Sequence, residues 1–396
     1  MLAQLRSRTL SPGWHLGAQS AMHVVNDALF VGIYPLLPLV AAELGLTYAQ
    51  VGGLKTAYSG ASAALQVPAG MLAERFGEQL LLALGTGWVG LGLLLMGLAP
   101  TFWALIALAL AAGLGGNIQH PVATSVVSRL FEGGRRSTAI GTLNFAGDLG
   151  KIAAPVVAGV AALAYGWRGG FVALGAIGAL FALGYLLVVP EPGRPAPAAR
   201  ADGAPETAPG WGIARPGLFA ALTLVGVLDS MARGTALTFA PFLLGEKGIE
   251  PAAMSFYFAV LFAAGAAGKF LCGPLGDRFG NAATIVVTEL VTAAALIGLL
   301  AAPATLVLLA LLPLGFVLNG TSSVLYAAVA GLVDVRRRAR GYGLYYTATL
   351  LASAAAPILY GLVADLVGLG LALAVLAAVT AMTAPLALAI RKGLAG

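Results

Sequence analysis

Long apolar runs, separated by short polar or Pro/Gly-containing breaks, dominate the chain from end to end. They fall at roughly 17–43, 48–74, 79–99, 101–131, 136–165 and 168–190, and again at about 215–245, 251–277, 280–301, 303–335, 338–368 and 370–391. A helix needs about 20 apolar residues to cross the hydrocarbon core of a bilayer, and each run reaches or exceeds that length. The pattern predicts an all-α polytopic membrane protein of twelve transmembrane helices in two six-helix bundles, over residues 1–190 and 215–396. Between them, EPGRPAPAARADGAPETAPGWG is too rich in Pro, Ala and charge to bury a core, so 191–214 reads as a linker.

Composition strengthens this reading. Of 396 residues, 59% are hydrophobic and 10% charged, with a mean hydropathy of +0.92, against about 25% charged in an ordinary soluble domain. The 54 glycines suit closely packed membrane helices. The first residues, MLAQLRSRTLSPGWHLG, have no compact apolar core before a cleavage site, so no cleavable leader is expected. The single cysteine, Cys272, excludes an internal disulfide and any multi-cysteine metal cluster. Nothing in the pattern calls for a cofactor, a metal or a catalytic constellation.

Charge sets the expected orientation. With twelve spans both termini share one side. That side collects Arg6, Arg8, Arg75, Arg129, Arg135, Arg136, Arg194, Arg200, Arg215, Arg278, Arg336, Arg337, Arg338, Arg340, Arg391 and Lys392. The opposite connections hold only Arg168 and Lys247. Sixteen against two predicts cytoplasmic termini and linker in a bacterial inner membrane. Basic residues spread this way make a topology signal, not a nucleic-acid surface, despite the net charge of +6.

The two halves repeat. GMLAERFG at Gly70–Gly77 recurs as GPLGDRFG at Gly273–Gly280, an offset of 273 − 70 = 203 shared by Pro38 and Pro241. Asn117 and Asn319, Gly141 and Gly343, Pro155 and Pro357, and Gly159 and Gly361 are each 202 apart. Two like halves around a central cavity are what alternating access requires.

The repeated octapeptide resembles the loop motif of the major facilitator superfamily between its second and third helices, G-x-L-a-D-R-x-G-r-k. Gly70, Leu72, Glu74, Arg75 and Gly77 carry it here, echoed by Gly273, Leu275, Asp277, Arg278 and Gly280. The resemblance implies that these residues gate the conformational change. YGWRGGF at 165–171 looks like that family's junction of helices five and six. The HVVND start of the first span and the His120-Pro121 pair look most like the fosmidomycin-resistance branch of drug-efflux proteins. Departures are Glu74 for Asp, Glu78-Gln79 where basic residues are usual, and a fourth span without the arginine of many proton-driven members.

Eight ionisable residues lie well inside spans: Asp27, Lys55, Asp148, Lys151, Asp229, Arg233, Lys269 and Glu289. Such residues are costly in lipid and face partners, water or substrate. His23, Asp27, Phe30 and Tyr34 step by 4, 3 and 4 along one helical stripe, as do Asn144, Asp148, Lys151 and Pro155. Lys55, Ser59, Ser62 and Gln66 make a third stripe, while Asn117, His120, Asn319, Tyr326 and Tyr346 add polar positions on other spans. Together they describe the lining of a wet central cavity.

Plainer readings compete. Asp148–Lys151 and Asp229–Arg233 could be self-neutralising pairs on one helix. Lys55 and Lys269 could snorkel to the membrane faces, and His120 could bond a carbonyl freed by Pro121. Glu289, on a span peripheral in the family, suggests a structural partner. Asp27 has no opposite charge within one turn of its own helix. It is the foremost candidate for proton coupling, with His23 and His120.

The substrate-binding candidates are then Tyr34, Lys55, Asn117, Asp148, Lys151, Asp229, Arg233, Lys269, Asn319, Tyr326 and Tyr346. The expected function is secondary active transport, as a monomer, with a small molecule and protons as partners. Proton-coupled efflux of a small anionic or zwitterionic organic compound is the first reading. Uptake of such an anion by proton or ion symport is the second, and a non-transporting membrane sensor a remote third.

Overall fold

The computed structural model describes residues 11–64, 72–73, 75–116, 118–131, 135–190, 211–334 and 338–394. Gly70, Glu74, Asn117 and nearly all of the linker lie outside them.

Ser11 accepts a hydrogen bond from the Trp14 amide and Pro12 sits in the first turn, so the first helix starts there. It runs as α1 (Pro12–Val31) and, after one 3-10 turn at Tyr34–Leu36, as α2 (Leu37–Leu44). The next two spans are α3 (Tyr48–Ala64) and α4 (Glu78–Met96). The expected fourth span, 101–131, is two shorter helices, α5 (Phe102–Gly113), capped by Thr101, and α6 (Gln119–Leu130). α7 (Arg136–Val188) carries the fifth and sixth spans, and its helical geometry breaks at Tyr165 and Gly166. Gly166 has φ +64, which a side chain would oppose.

The second half follows as α8 (Pro216–Glu246), α9 (Pro251–Phe279), α10 (Asn281–Ala301), α11 (Val307–Ala330), α12 (Arg338–Val367), α13 (Leu369–Ala381) and α14 (Thr383–Ala389). Among the described residues, nine helices are long and apolar enough to cross a membrane, with the fifth and sixth spans merged in one of them. This is an all-α polytopic membrane fold. In lipid, a helix satisfies its backbone hydrogen bonds within its own segment.

The packing repeats as the sequence does. α1 packs on α7 as α8 packs on α12, and α4 packs on α7 as α10 packs on α13. The motif turns match too: Gly77 and Gly280 both lie at positive φ, +101 and +87, immediately before α4 and α10.

The halves meet through α3 on α12 and α7 on α9. Gly52 of α3 lies so close to α12 that a Cβ there would fall 2.1 Å from the Pro357 carbonyl oxygen. Buried apolar side chains form one cluster spanning both halves, joining Leu36, Val40 and Leu54 to Phe239, Phe258 and Tyr360. Two smaller clusters stay within single halves, one around Met22, Leu82 and Val122, the other around Leu222, Val324 and Tyr345. The halves therefore share a core at the end opposite the termini and keep separate cores at the terminal end. Trp103, Phe270 and Leu366 are each more than three quarters exposed, as lipid-facing side chains must be.

Candidate functional site

Six ionisable side chains converge from four helices and both halves. α1 presents His23 and Asp27 one turn apart, both buried. α7 lays Lys151 across from them, its Nζ 3.0 Å from Asp27 Oδ2 and 2.9 Å from Asp148 Oδ1. α9 adds Lys269 from the other half, its Nζ 2.6 Å from the same Asp148 oxygen. His23 Nε2 and His120 Nε2 stand 3.5 and 3.6 Å from Asp27 Oδ1, and their rings meet edge to face. The network runs His23/His120–Asp27–Lys151–Asp148–Lys269, with two carboxylates against two ammonium groups.

This geometry decides between several readings of the sequence. Asp148–Lys151 is not a closed pair on one helix, because each member has a further partner on another. Lys269 does not snorkel; it donates to Asp148 across the halves. His120 faces Asp27 from α6. Its side chain is 44% exposed while that of Asp27 is 5% exposed, so His120 is the solvent-facing side of the cluster.

In the second half, Arg233 donates to Asp229 at 3.1 Å and to Ser230 Oγ at 3.3 Å. Tyr326, Tyr342, Tyr345 and Tyr346 pack ring against ring nearby, with Tyr326 and Tyr346 centroids 4.9 Å apart. Asn319 is buried on α11 against Gly265 of α9, and its amide nitrogen finds no acceptor among the described residues.

Lys55 stands apart. It is 6% exposed and donates to Ser59 Oγ at 2.7 Å, with Nζ 4.8 Å from the Tyr34 ring and 5.6 Å from that of Tyr58. Among the described residues it makes no ion pair. Aromatic faces attract a cation but do not neutralise it.

His23, Asp27 and His120 offer one ligand atom each within 4.8 Å of one another, a spacing compatible with a metal ion. The Lys151 ammonium already bonded to Asp27 opposes a second cation there.

The motif loops are only partly described. Arg75 and Arg278 are exposed, each with its guanidinium 5.3 Å over the neighbouring phenyl ring, Phe76 and Phe279 respectively. Asp277 is exposed beside Gly273 and Gly280. Two of the departures from the motif, Glu78 and Gln79, have partners among the described residues. Glu78 takes a bidentate salt bridge from Arg129 at the end of α6. Gln79 is buried and accepts hydrogen bonds from Gln19 and Tyr185, tying α1 and α7 to α4.

Sequence reasoning missed the latch at the opposite end. The Asp365 carboxylate on α12 accepts from the backbone amides of Tyr48 and Ala49 at 2.7 and 3.0 Å, capping α3 from the other half. The Tyr48 hydroxyl donates to Glu246 at the end of α8, 3.1 Å away. Asp365 lies one turn beyond Gly361 and two beyond Pro357, on the face of α12 that meets α3; only that stripe hinted at it. Glu43, bonded by both Trp167 and Arg168, was also missed, although both partners lie within the YGWRGGF segment.

Residues 20–227 and 222–393 match the family model of the Major Facilitator Superfamily. The fosmidomycin resistance protein of Escherichia coli is 29% identical over 272 residues, 67% of this chain and 66% of that protein. The probable sulfoacetate transporter SauU of Cupriavidus necator is 29% identical over 278 residues, 66% of this chain and 64% of that protein. The chain thus spans just under two thirds of these relatives' length. Among solved structures, a bacterial homolog to the human lysosomal transporter Spinster, inward-facing and unoccupied, superposes with a TM-score of 0.85. It is 18% identical, over 97% of this chain and 98% of that one, a likeness of fold.

Proposed function

The chain belongs to the Major Facilitator Superfamily, and on that premise we propose that it is a proton-coupled exporter of a small anionic or zwitterionic organic compound. Proteins of this family are membrane transporters, not enzymes. The proposed setting is a bacterial inner membrane, with both termini in the cytoplasm and the chain acting as a monomer of two bundles, 1–190 and 215–396, joined by 191–214.

The observation that carries the proton reading is the buried Asp27 carboxylate held between one ammonium and two imidazoles. A carboxylate is neutralised by a nearby cation in one state and by a proton when that cation moves away. Here the cation, Lys151, is itself shared with Asp148, whose other partner sits in the opposite half. Rocking of the halves that releases the Tyr48–Asp365 latch would pull Lys269 from Asp148, draw Lys151 toward Asp148, and leave Asp27 to take a proton. His120, the exposed member, would pass it in from water.

Lys55 carries the substrate reading. A buried cation without a carboxylate partner favours an anion, and Arg233 can exchange Asp229 for one in the second half. The relative named for sulfoacetate, a small organic anion, supports this class.

The test of class is thermal stabilisation of the purified protein by small carboxylates and phosphonates. Stabilisation by amphipathic cations alone overturns the anion reading. Direction is tested by counterflow in oriented vesicles with and without a pH gradient. Accumulation along the proton gradient would favour symport uptake, the second reading.

A further inference from the structure

Glu289 has no part in the cluster described above, and its surroundings are unusual. It sits in α10 and is 1% exposed, and neither carboxyl oxygen has a hydrogen-bond donor among the described residues. The neighbouring threonines on its helix, Thr288 and Thr292, donate to backbone carbonyls instead. What faces Glu289 is another carboxyl group, that of Asp229 on α8, itself 4% exposed.

The internal duplication shows what these two positions do in the other half. Asn26 and Asp229 share the offset 229 − 26 = 203, and Thr86 and Glu289 share 289 − 86 = 203. In the first half the Asn26 amide donates to the Thr86 hydroxyl at 3.3 Å, a neutral hydrogen bond between α1 and α4. The second half places two acids at the same inter-helix contact. Two acids form the same bond only if one of them keeps its proton.

We propose that Glu289 carries a proton and donates it to Asp229, making a second protonation site in the second half. The groups facing the pair are Arg233 on α8, the phenols of Tyr326 on α11 and Tyr345 on α12, and the Thr383 hydroxyl on α14. Arg233 supplies one positive charge. With Glu289 neutral the trio balances; with both acids ionised it would leave one negative charge uncompensated among buried side chains, which costs several kcal/mol. If Arg233 turns to an anionic substrate, as the proposed function has it, Asp229 loses its counter-charge and a second proton can enter here.

Infrared spectroscopy of the full-length protein in liposomes at neutral pH tests this without a substrate. The wild type should show the carbonyl stretch of a protonated carboxylic acid, shifted in D2O. Glu289→Gln should remove that band, and Asp27→Asn should keep it. Glu289→Gln should also match the wild type in thermal stability, since an amide replaces a neutral acid. In Asp229→Asn the band should persist at a new frequency, because its acceptor has changed. An unchanged spectrum in Glu289→Gln, or no shift in Asp229→Asn, overturns the proposal. Loss of the band in Glu289→Gln alongside absent anion binding would overturn only the transport reading.

Discussion

Asp27 and Lys151 lie on different helices, α1 and α7, yet their carboxylate and ammonium are 3.0 Å apart, with the carboxylate 5% exposed. The bond is one link in a chain that passes through Asp148 to Lys269 in the other half. Any movement of the halves that strains the last link therefore reaches the first.

Lys151 neutralises two buried acids at once. Lys151→Ala should lower stability by about 3–5 kcal/mol, the range for removing one partner of a buried pair. Adding Asp27→Asn to that variant should recover part of the loss. Thermal unfolding in detergent, compared across the single and double variants, measures both.

Asp148 and Lys269 join the halves at 2.6 Å. A double-mutant cycle of Asp148→Asn and Lys269→Gln should give a coupling of about 0.5–3 kcal/mol. Additive effects on unfolding would mean that the contact carries no energy between the halves.

The Tyr48–Asp365 latch should hold one face shut. Asp365→Ala removes a cap on α3, worth about 0.5–2 kcal/mol at a helix N-terminus. The closed population should fall, and a cysteine placed at Ser59 should be labelled faster by a membrane-impermeant thiol reagent added from the face opposite the termini.

Lys55 should cost stability in the empty protein, because among the described residues no carboxylate answers its charge. Lys55→Met is expected to leave the melting temperature unchanged or raise it. The same variant should lose stabilisation by the carboxylates and phosphonates that protect the wild type. A large drop in melting temperature would point to a structural role.

Much of this fold is legible in the chain. Apolar runs of spanning length, the 203-residue offset and the paired motif turns at Gly77 and Gly280 all follow from local pattern. The stripe His23–Asp27 on α1 and the stripe Asp148–Lys151 on α7 were equally visible, because helical spacing places such residues on one face. Which stripes meet was not. Lys151 reaches Asp27 over 124 positions of sequence and Lys269 reaches Asp148 over 121, and periodicity holds no information about partners between helices. The break within 101–131 was hidden because Leu114, Gly115 and Gly116 carry no charge or proline to mark it off from the apolar helix before them. The symmetry of the halves reads from sequence, while their asymmetry of charge gains meaning only from contacts. Asp27 aligns with Ser230, and Asn26 with Asp229, so each half puts its acid on a different face of the equivalent helix.

Asp27 is the residue proposed to couple transport to protons. Reconstituted protein, with a carboxylate or phosphonate chosen by thermal stabilisation, should accumulate that compound under an imposed pH gradient and exchange it by counterflow without one. Asp27→Asn should abolish the gradient-driven accumulation and keep the exchange. Full gradient-driven accumulation by Asp27→Asn would contradict the account.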